Sequence, residues 1–127
     1  LYGKGIPTDY QRIGRDAPDF CNIMNQKYSE KYGSFDYGMV VYEDRFQSDK
    51  CEYWILWNQR VEEFEKWEIP KSKWLVFRVP NMEAIDIQKA SNEFYCQFLP
   101  SCKYNLRDIP ELEYYHDGVT DFLVPIE

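Results

Sequence analysis

Glu113 and Tyr115 stand two positions apart in a β-prone run, Leu112-Glu113-Tyr114-Tyr115. Alternate residues of a strand share a face, so this carboxylate and this phenol point the same way. Such a pair offers two chemistries. A carboxylate in apolar surroundings is costly alone, and a cationic ligand offsets that cost. Aromatic walls add cation–π attraction, about 1–2 kcal/mol where water is excluded. The same carboxylate beside a hydroxyl is a general base if a water is held about 3 Å away, and nothing in the chain fixes such a water. The plain alternative is a solvated Glu113 paired across strands with a lysine or arginine. Tyr37, Tyr53 and Trp57 are candidates for lining the same groove from earlier in the chain. Trp74 is another; it alternates with Phe77, so only one of those two can reach the groove.

Other catalytic groupings are missing from the sequence. It holds no Ser-His-acid or Cys-His arrangement and no Gly-rich phosphate loop. His116, the single histidine, precedes Asp117-Gly118 and reads as a turn residue. Cys21, Cys51, Cys96 and Cys102 form no Cys-x-x-Cys pair, so free thiols, a reducing cytoplasmic setting and no metal or cofactor are expected. The net charge of -7 argues against nucleic-acid contact by this chain and for cationic partners. No apolar run approaches the roughly 18 residues of a membrane span, and no signal peptide is visible. At 127 residues, 44% of them hydrophobic, the chain is long and apolar enough for one domain with its own core.

The elements that must position these groups follow from periodicity. Residues 1–15, with Gly3, Gly5, Pro7 and Gly14, read as loop. Asp16-Ala17-Pro18-Asp19 reads as a helix start, with Asp16 as cap and Pro18 in the first turn. Phe20, Ile23, Met24 and Tyr28 supply an apolar stripe and Gly33 a stop, giving a helix over 17–32. Strands are expected at 35–42, with Gly38 marking a bulge or a close approach, and at 51–57. A charged turn, 43–50, joins them. In the second strand Cys51, Tyr53, Ile55 and Trp57 share one face; Trp54 lies on the other and is assigned to helix-facing core. A polar crossover, 58–66, leads to a strand at 73–79, a helix at 82–98 capped by Asn81, a strand at 112–115, an Asp-Gly hairpin turn and a closing strand at 119–126.

The two halves, about 17–57 and 70–126, have the same order of elements except that the first lacks its opening strand. That strand is expected upstream of Leu1. The fold class is α+β: a duplicated strand-helix-strand-strand module, an antiparallel sheet with helices on one face and a central cleft. The cleft is expected on the face away from the helices, where the halves join.

Ile69-Pro70-x-x-Lys73-Trp74-x-Val76-Phe77, the following helix, Tyr104-x-Leu106-Arg107-Asp108-x-Pro110-x-Leu112-Glu113-x-Tyr115 and Asp121-Phe122-Leu123-Val124-Pro125-Ile126 together resemble the GyrI-like effector-binding domains. These pieces span about the last 60 residues; over 17–57 the likeness is one of order and length. The resemblance implies a cleft for small hydrophobic, often cationic molecules, with an acidic residue meeting the positive charge. It assigns that role to Glu113, with Leu112 where the family has an aromatic. Asp121 falls where the family often has a glutamate, one methylene longer. Such domains serve as sensors of AraC- and MerR-type regulators or stand alone; some standalone relatives inhibit other proteins and some are hydrolases. A DNA-binding domain in the full-length protein and a homodimer through exposed aromatic strands are both compatible with the chain.

Overall fold

A computed structural model of the chain describes residues 1–44, 47–101 and 103–127. The chain order is β1 (Tyr2–Asp9), α1 (Ile13–Tyr32), β2 (Tyr37–Tyr42), β3 (Lys50–Trp57), β4 (Glu65–Lys66), β5 (Lys73–Val79), α2 (Ala84–Glu93), β6 (Glu111–His116) and β7 (Val119–Ile126). A π turn (Phe94–Phe98) and a short 3-10 turn (Leu99–Ser101) continue α2. The strands form one antiparallel sheet ordered β4-β1-β3-β2-β6-β7-β5. Strand-helix-strand-strand therefore occurs twice, and the halves meet where β2 pairs with β6. The fold is α+β.

The opening strand of the first half is present within the chain, as β1, and residues 1–15 are not the loop their composition suggests. β1 pairs with β3 along its whole length, from Tyr2 opposite Trp57 to Asp9 opposite Lys50. Of its two glycines, Gly5 is a packing requirement. A Cβ on Gly5 would lie 2.4 Å from the Trp54 indole, so the absent side chain is the space that the indole fills. β4 borders β1 only at Tyr2 and Gly3, so Pro7 lies along an open edge, where a missing N–H is tolerated.

The first helix starts four residues earlier than its sequence suggests. Asp16 is not its cap: Arg12 stands at the N-cap without a side-chain bond, and Asp9 Oδ1 holds the preceding turn by accepting the backbone N–H groups of Gln11 and Arg12 at 3.0 and 2.9 Å. Asp16 instead accepts from the Thr8 hydroxyl at 2.8 Å, tying the helix to β1. Pro18 consequently lies inside the helix rather than in its first turn. Gly33 ends the helix, its N–H bonded to the Ser29 carbonyl. The second helical pattern begins at Ala84 and breaks into the π turn after Glu93. Asp117 and Gly118 take φ of 51° and 76°, the left-handed pair that a two-residue hairpin needs.

Each helix packs on its own half. Phe20, Met24 and Tyr28 of α1 bury against Val40, Tyr53, Ile55 and Trp57. Phe94 of the π turn packs with Phe122 and Val124, flanked by Phe77. The other face carries Met39, Trp54, Leu56 and Leu112, with Leu1, Trp67, Ile69 and Trp74 packed against them. Trp54 is therefore core of the face away from the helices, edge-on to Trp67 at 5.2 Å, which corrects its sequence assignment. Cys21, Cys51 and Cys96 carry free thiols; Cys102 lies outside the described residues, as do Arg45 and Phe46 of the charged turn. Among the described residues no helix is long and apolar enough to cross a membrane.

Candidate functional site

A helix is about 10 Å across and strands lie about 4.8 Å apart, so one helix covers roughly two strands. Two helices on a seven-stranded sheet leave its centre bare. The result is a cavity of about 940 Å³ between α1 and α2, floored by β2, β3 and β6. It lies on the helix face. The face away from the helices, where the sequence suggested a groove, is closed by its own tryptophans and aliphatics. Ile13, Ala17 and Cys21 form one wall, and Ala84, Ile87, Ser91 and Tyr95 the other. A shallower hollow of about 450 Å³ lies on the outer side of α2 and the π turn, with no second wall.

β6 brings its alternate residues Glu111, Glu113 and Tyr115 to this floor. The Tyr115 hydroxyl donates to Glu113 Oε2 at 2.9 Å. The Tyr115 and Tyr53 hydroxyls lie 3.4 Å apart, and Cys21 Sγ lies 3.6 Å from Tyr53 Oη. Gly38, opposite Glu113 in the ladder, makes this possible. A Cβ there would stand 2.6 Å from the Tyr53 hydroxyl and 2.8 Å from that of Tyr115, the close approach that a glycine within a strand foretells. Beside this group Tyr95 donates to Glu111, and the Tyr42 hydroxyl is 3.4 Å from that of Tyr95.

Burial pushes the Glu113 carboxyl up to about 7, against the pull of the Tyr115 hydrogen bond and with help from the nearby Glu111 charge. Burial likewise raises the Tyr53 and Tyr115 phenols well above their ordinary value, so both stay protonated and can donate. Burial raises the Cys21 thiol to about 11, which leaves it a neutral S–H rather than a nucleophile.

Of the residues singled out from sequence, Glu113, Tyr115 and Tyr53 come together on the cleft floor. The others do not. Trp57 is fully buried beneath α1, stacked on Phe64 at 5.3 Å, and donates to the Gly33 carbonyl at 3.1 Å. Tyr37 lies on the far face, stacked on Tyr114 at 4.7 Å, and Trp74 packs into the cluster on that face. Asp121, opposite Tyr114 in the β6–β7 ladder, is also outside the cavity. Arg78 donates to it at 2.9 and 3.2 Å, and His116 Nε2 lies 2.6 Å from Oδ2. The Arg78 and His116 hydrogen bonds hold the Asp121 carboxyl down at about 2. His116 closes β6, stacked on Tyr114 at 4.5 Å, and is more than a turn residue.

Sequence reasoning missed Glu111, Tyr95, Tyr42 and Glu83, all of which line the cavity. Glu111 was legible: alternation read back from Glu113 puts it on the same face. Tyr95 was legible too: it stands four residues after Ser91 and eleven after Ala84, the helical spacing of the wall that it completes. Among the described residues no three metal-ligating side chains converge.

Neither a known sequence family nor a curated protein matches the chain. Solved structures do. A chain from Staphylococcus aureus, described as a bacterial transcription regulation protein, superposes with a TM-score of 0.78 at 14% identity, covering 99% of this chain and 90% of its own. A second, solved bound to tetraphenylphosphonium, superposes with a TM-score of 0.73 at 15% identity, covering 99% of this chain and 87% of its own. At such identities the likeness is one of fold alone.

Proposed function

We propose that this chain is an effector-binding domain of the GyrI-like type that takes a small hydrophobic cation into the cleft between α1 and α2. The observation that carries the reading is Glu113: a carboxyl on the floor of a cavity lined largely by aromatic and aliphatic side chains, held by one phenol and open to the cavity. Such a group is stabilised by a positive ligand and by little else in an apolar setting. The bound tetraphenylphosphonium of a structural neighbour is a ligand of that kind. The neighbour described as a transcription regulation protein supports a sensor role, in which the ligand must bind two states of the whole protein differently. A standalone binding protein fits the same site. A formed cavity, rather than a collapsed one, favours ligand binding over a module that works only through its outer face.

The test is calorimetric titration with tetraphenylphosphonium and with neutral triphenylphosphine oxide. None of the four tryptophans lines the cavity, so their fluorescence is a poor reporter. Saturable binding of the cation, weakened about tenfold (1.4 kcal/mol) or more in Glu113→Gln, is the expected result. Equal binding of the neutral analogue, or full affinity in the variant, removes the reading. One observation favours a second reading: a carboxyl near 7 beside a phenol is suited to general-base hydrolysis of a reactive ligand. That reading requires turnover that Glu113→Gln abolishes.

A further inference from the structure

We propose that Tyr53 is a positioning residue of this site, acting on Glu113 through Tyr115 as part of a directed hydrogen-bond chain that crosses the join between the halves. The inference rests on the assignment of the cleft as the ligand site and adds how its acid is held.

The geometry sets the direction. The Tyr115 proton is committed to Glu113 Oε2 at 2.9 Å. The Tyr115 oxygen can then only accept, so the Tyr53 hydroxyl, 3.4 Å away, is the donor between them. With its one proton so used, Tyr53 accepts from Cys21, whose thiol is 3.6 Å away and stays protonated. The chain runs from α1 (Cys21) through β3 (Tyr53) to β6 (Tyr115, Glu113), every donor pointing toward the carboxylate. Each bond polarises the next, and in a low-dielectric floor such chains favour the ionised acceptor. Tyr53 is 3% exposed and touches no part of Glu113 by a hydrogen bond of its own. Gly38 is the gap that lets the two hydroxyls meet. A tyrosine kept only for packing would need neither its hydroxyl nor a strand position without a side chain beside it.

The chain commits Oε2 inward and leaves Glu113 Oε1 as the oxygen that meets a ligand. The cation is then met by an acceptor that is already oriented and whose charge is supported from behind, which lowers the cost of binding.

The experiment is a carboxyl-carbon NMR titration of Glu113 in the ligand-free protein, comparing wild type with Tyr53→Phe, Tyr115→Phe and both together. Phenylalanine keeps the ring and removes only the hydroxyl. Tyr53→Phe is expected to raise the Glu113 midpoint by about half a pH unit, and Tyr115→Phe by more. In the Tyr115→Phe background, Tyr53→Phe should add nothing, because the link is already cut. A Glu113 midpoint unmoved by Tyr53→Phe, or moved equally in the Tyr115→Phe background, overturns the proposal, even if thermal stability falls. The titration needs no ligand, so its outcome is separate from whether tetraphenylphosphonium binds.

Discussion

The side-chain amide of Gln88 in α2 donates to the backbone carbonyl of Gly14 in α1 at 2.7 Å. Pro18 leaves that carbonyl without its intrahelical donor. A helical residue at 18 would donate its N–H to that carbonyl four residues back, and proline has none to give. The free carbonyl is taken by the opposite helix, so a helix defect becomes a strap between the two walls of the cleft. Both residues line the cavity.

Gln88→Ala should cut this strap at small cost to the fold, about 1 kcal/mol or less for an exposed hydrogen bond. The larger effect is expected on kinetics: tetraphenylphosphonium should enter and leave faster, with a smaller change in Kd. Stopped-flow mixing beside urea unfolding checks this. Unchanged rates would mean that the walls part without breaking the strap.

Cation binding should strengthen as pH rises through about 7. Glu113 shares its surroundings with Glu111 and Tyr115 from β6, Tyr53 from β3 and Cys21 from α1; the phenols and thiol stay neutral there, and Glu113 gains its charge across this range. Below 7 the ligand must displace a proton, at up to about tenfold in affinity per pH unit. Calorimetry from pH 5.5 to 8.5 reads the slope, and Glu113→Gln should flatten it.

The same group gives stability the opposite slope. Its folded value of about 7 lies above the ordinary 4.5, so the folded state holds the proton where the unfolded state has lost it. Its contribution therefore falls as pH rises from 4.5 to 7 and remains unfavourable above that. Glu113→Gln should stabilise the protein at pH 8 more than at pH 4, measured as the shift in Tm.

Asp121 works the other way and elsewhere. Its folded value of about 2 lies below the ordinary 3.8, so its contribution is present above pH 4 and lost as pH falls toward 2. Asp121→Asn should weaken the β6–β7 hairpin, flatten the acid limb of the stability curve and leave tetraphenylphosphonium affinity within about twofold, since the residue is on the far face.

Gly38→Ala should cost about 1–3 kcal/mol, because its Cβ would press on the Tyr53 and Tyr115 hydroxyls. Tyr53→Phe in the same chain should recover part of that cost by removing the nearer oxygen. Urea unfolding of the single and double variants gives the coupling; strictly additive costs would place the strain elsewhere.

Much of this molecule is written in local pattern. The α1 stripe of Phe20, Met24 and Tyr28, the Asp117-Gly118 turn and the alternation through Glu113 and Tyr115 are short-range signals, and they led to helix, hairpin and two cleft-floor residues. Gly38 announced a close approach, though not of what. β1 was hidden because Gly3, Gly5 and Pro7 are turn-formers by local chemistry, and only Trp54, some fifty residues away in sequence, gives Gly5 a reason to be small. Which face held the cleft was likewise beyond local pattern. Alternation assigns residues to two sides of a strand but does not say which side a helix covers, so Trp57, Tyr37, Trp74 and Asp121 could not be separated from Tyr53. That choice was made by the width of a helix against the width of the sheet: two helices cannot cover seven strands, and the uncovered centre is where β2 and β6 bring Gly38 opposite Glu113.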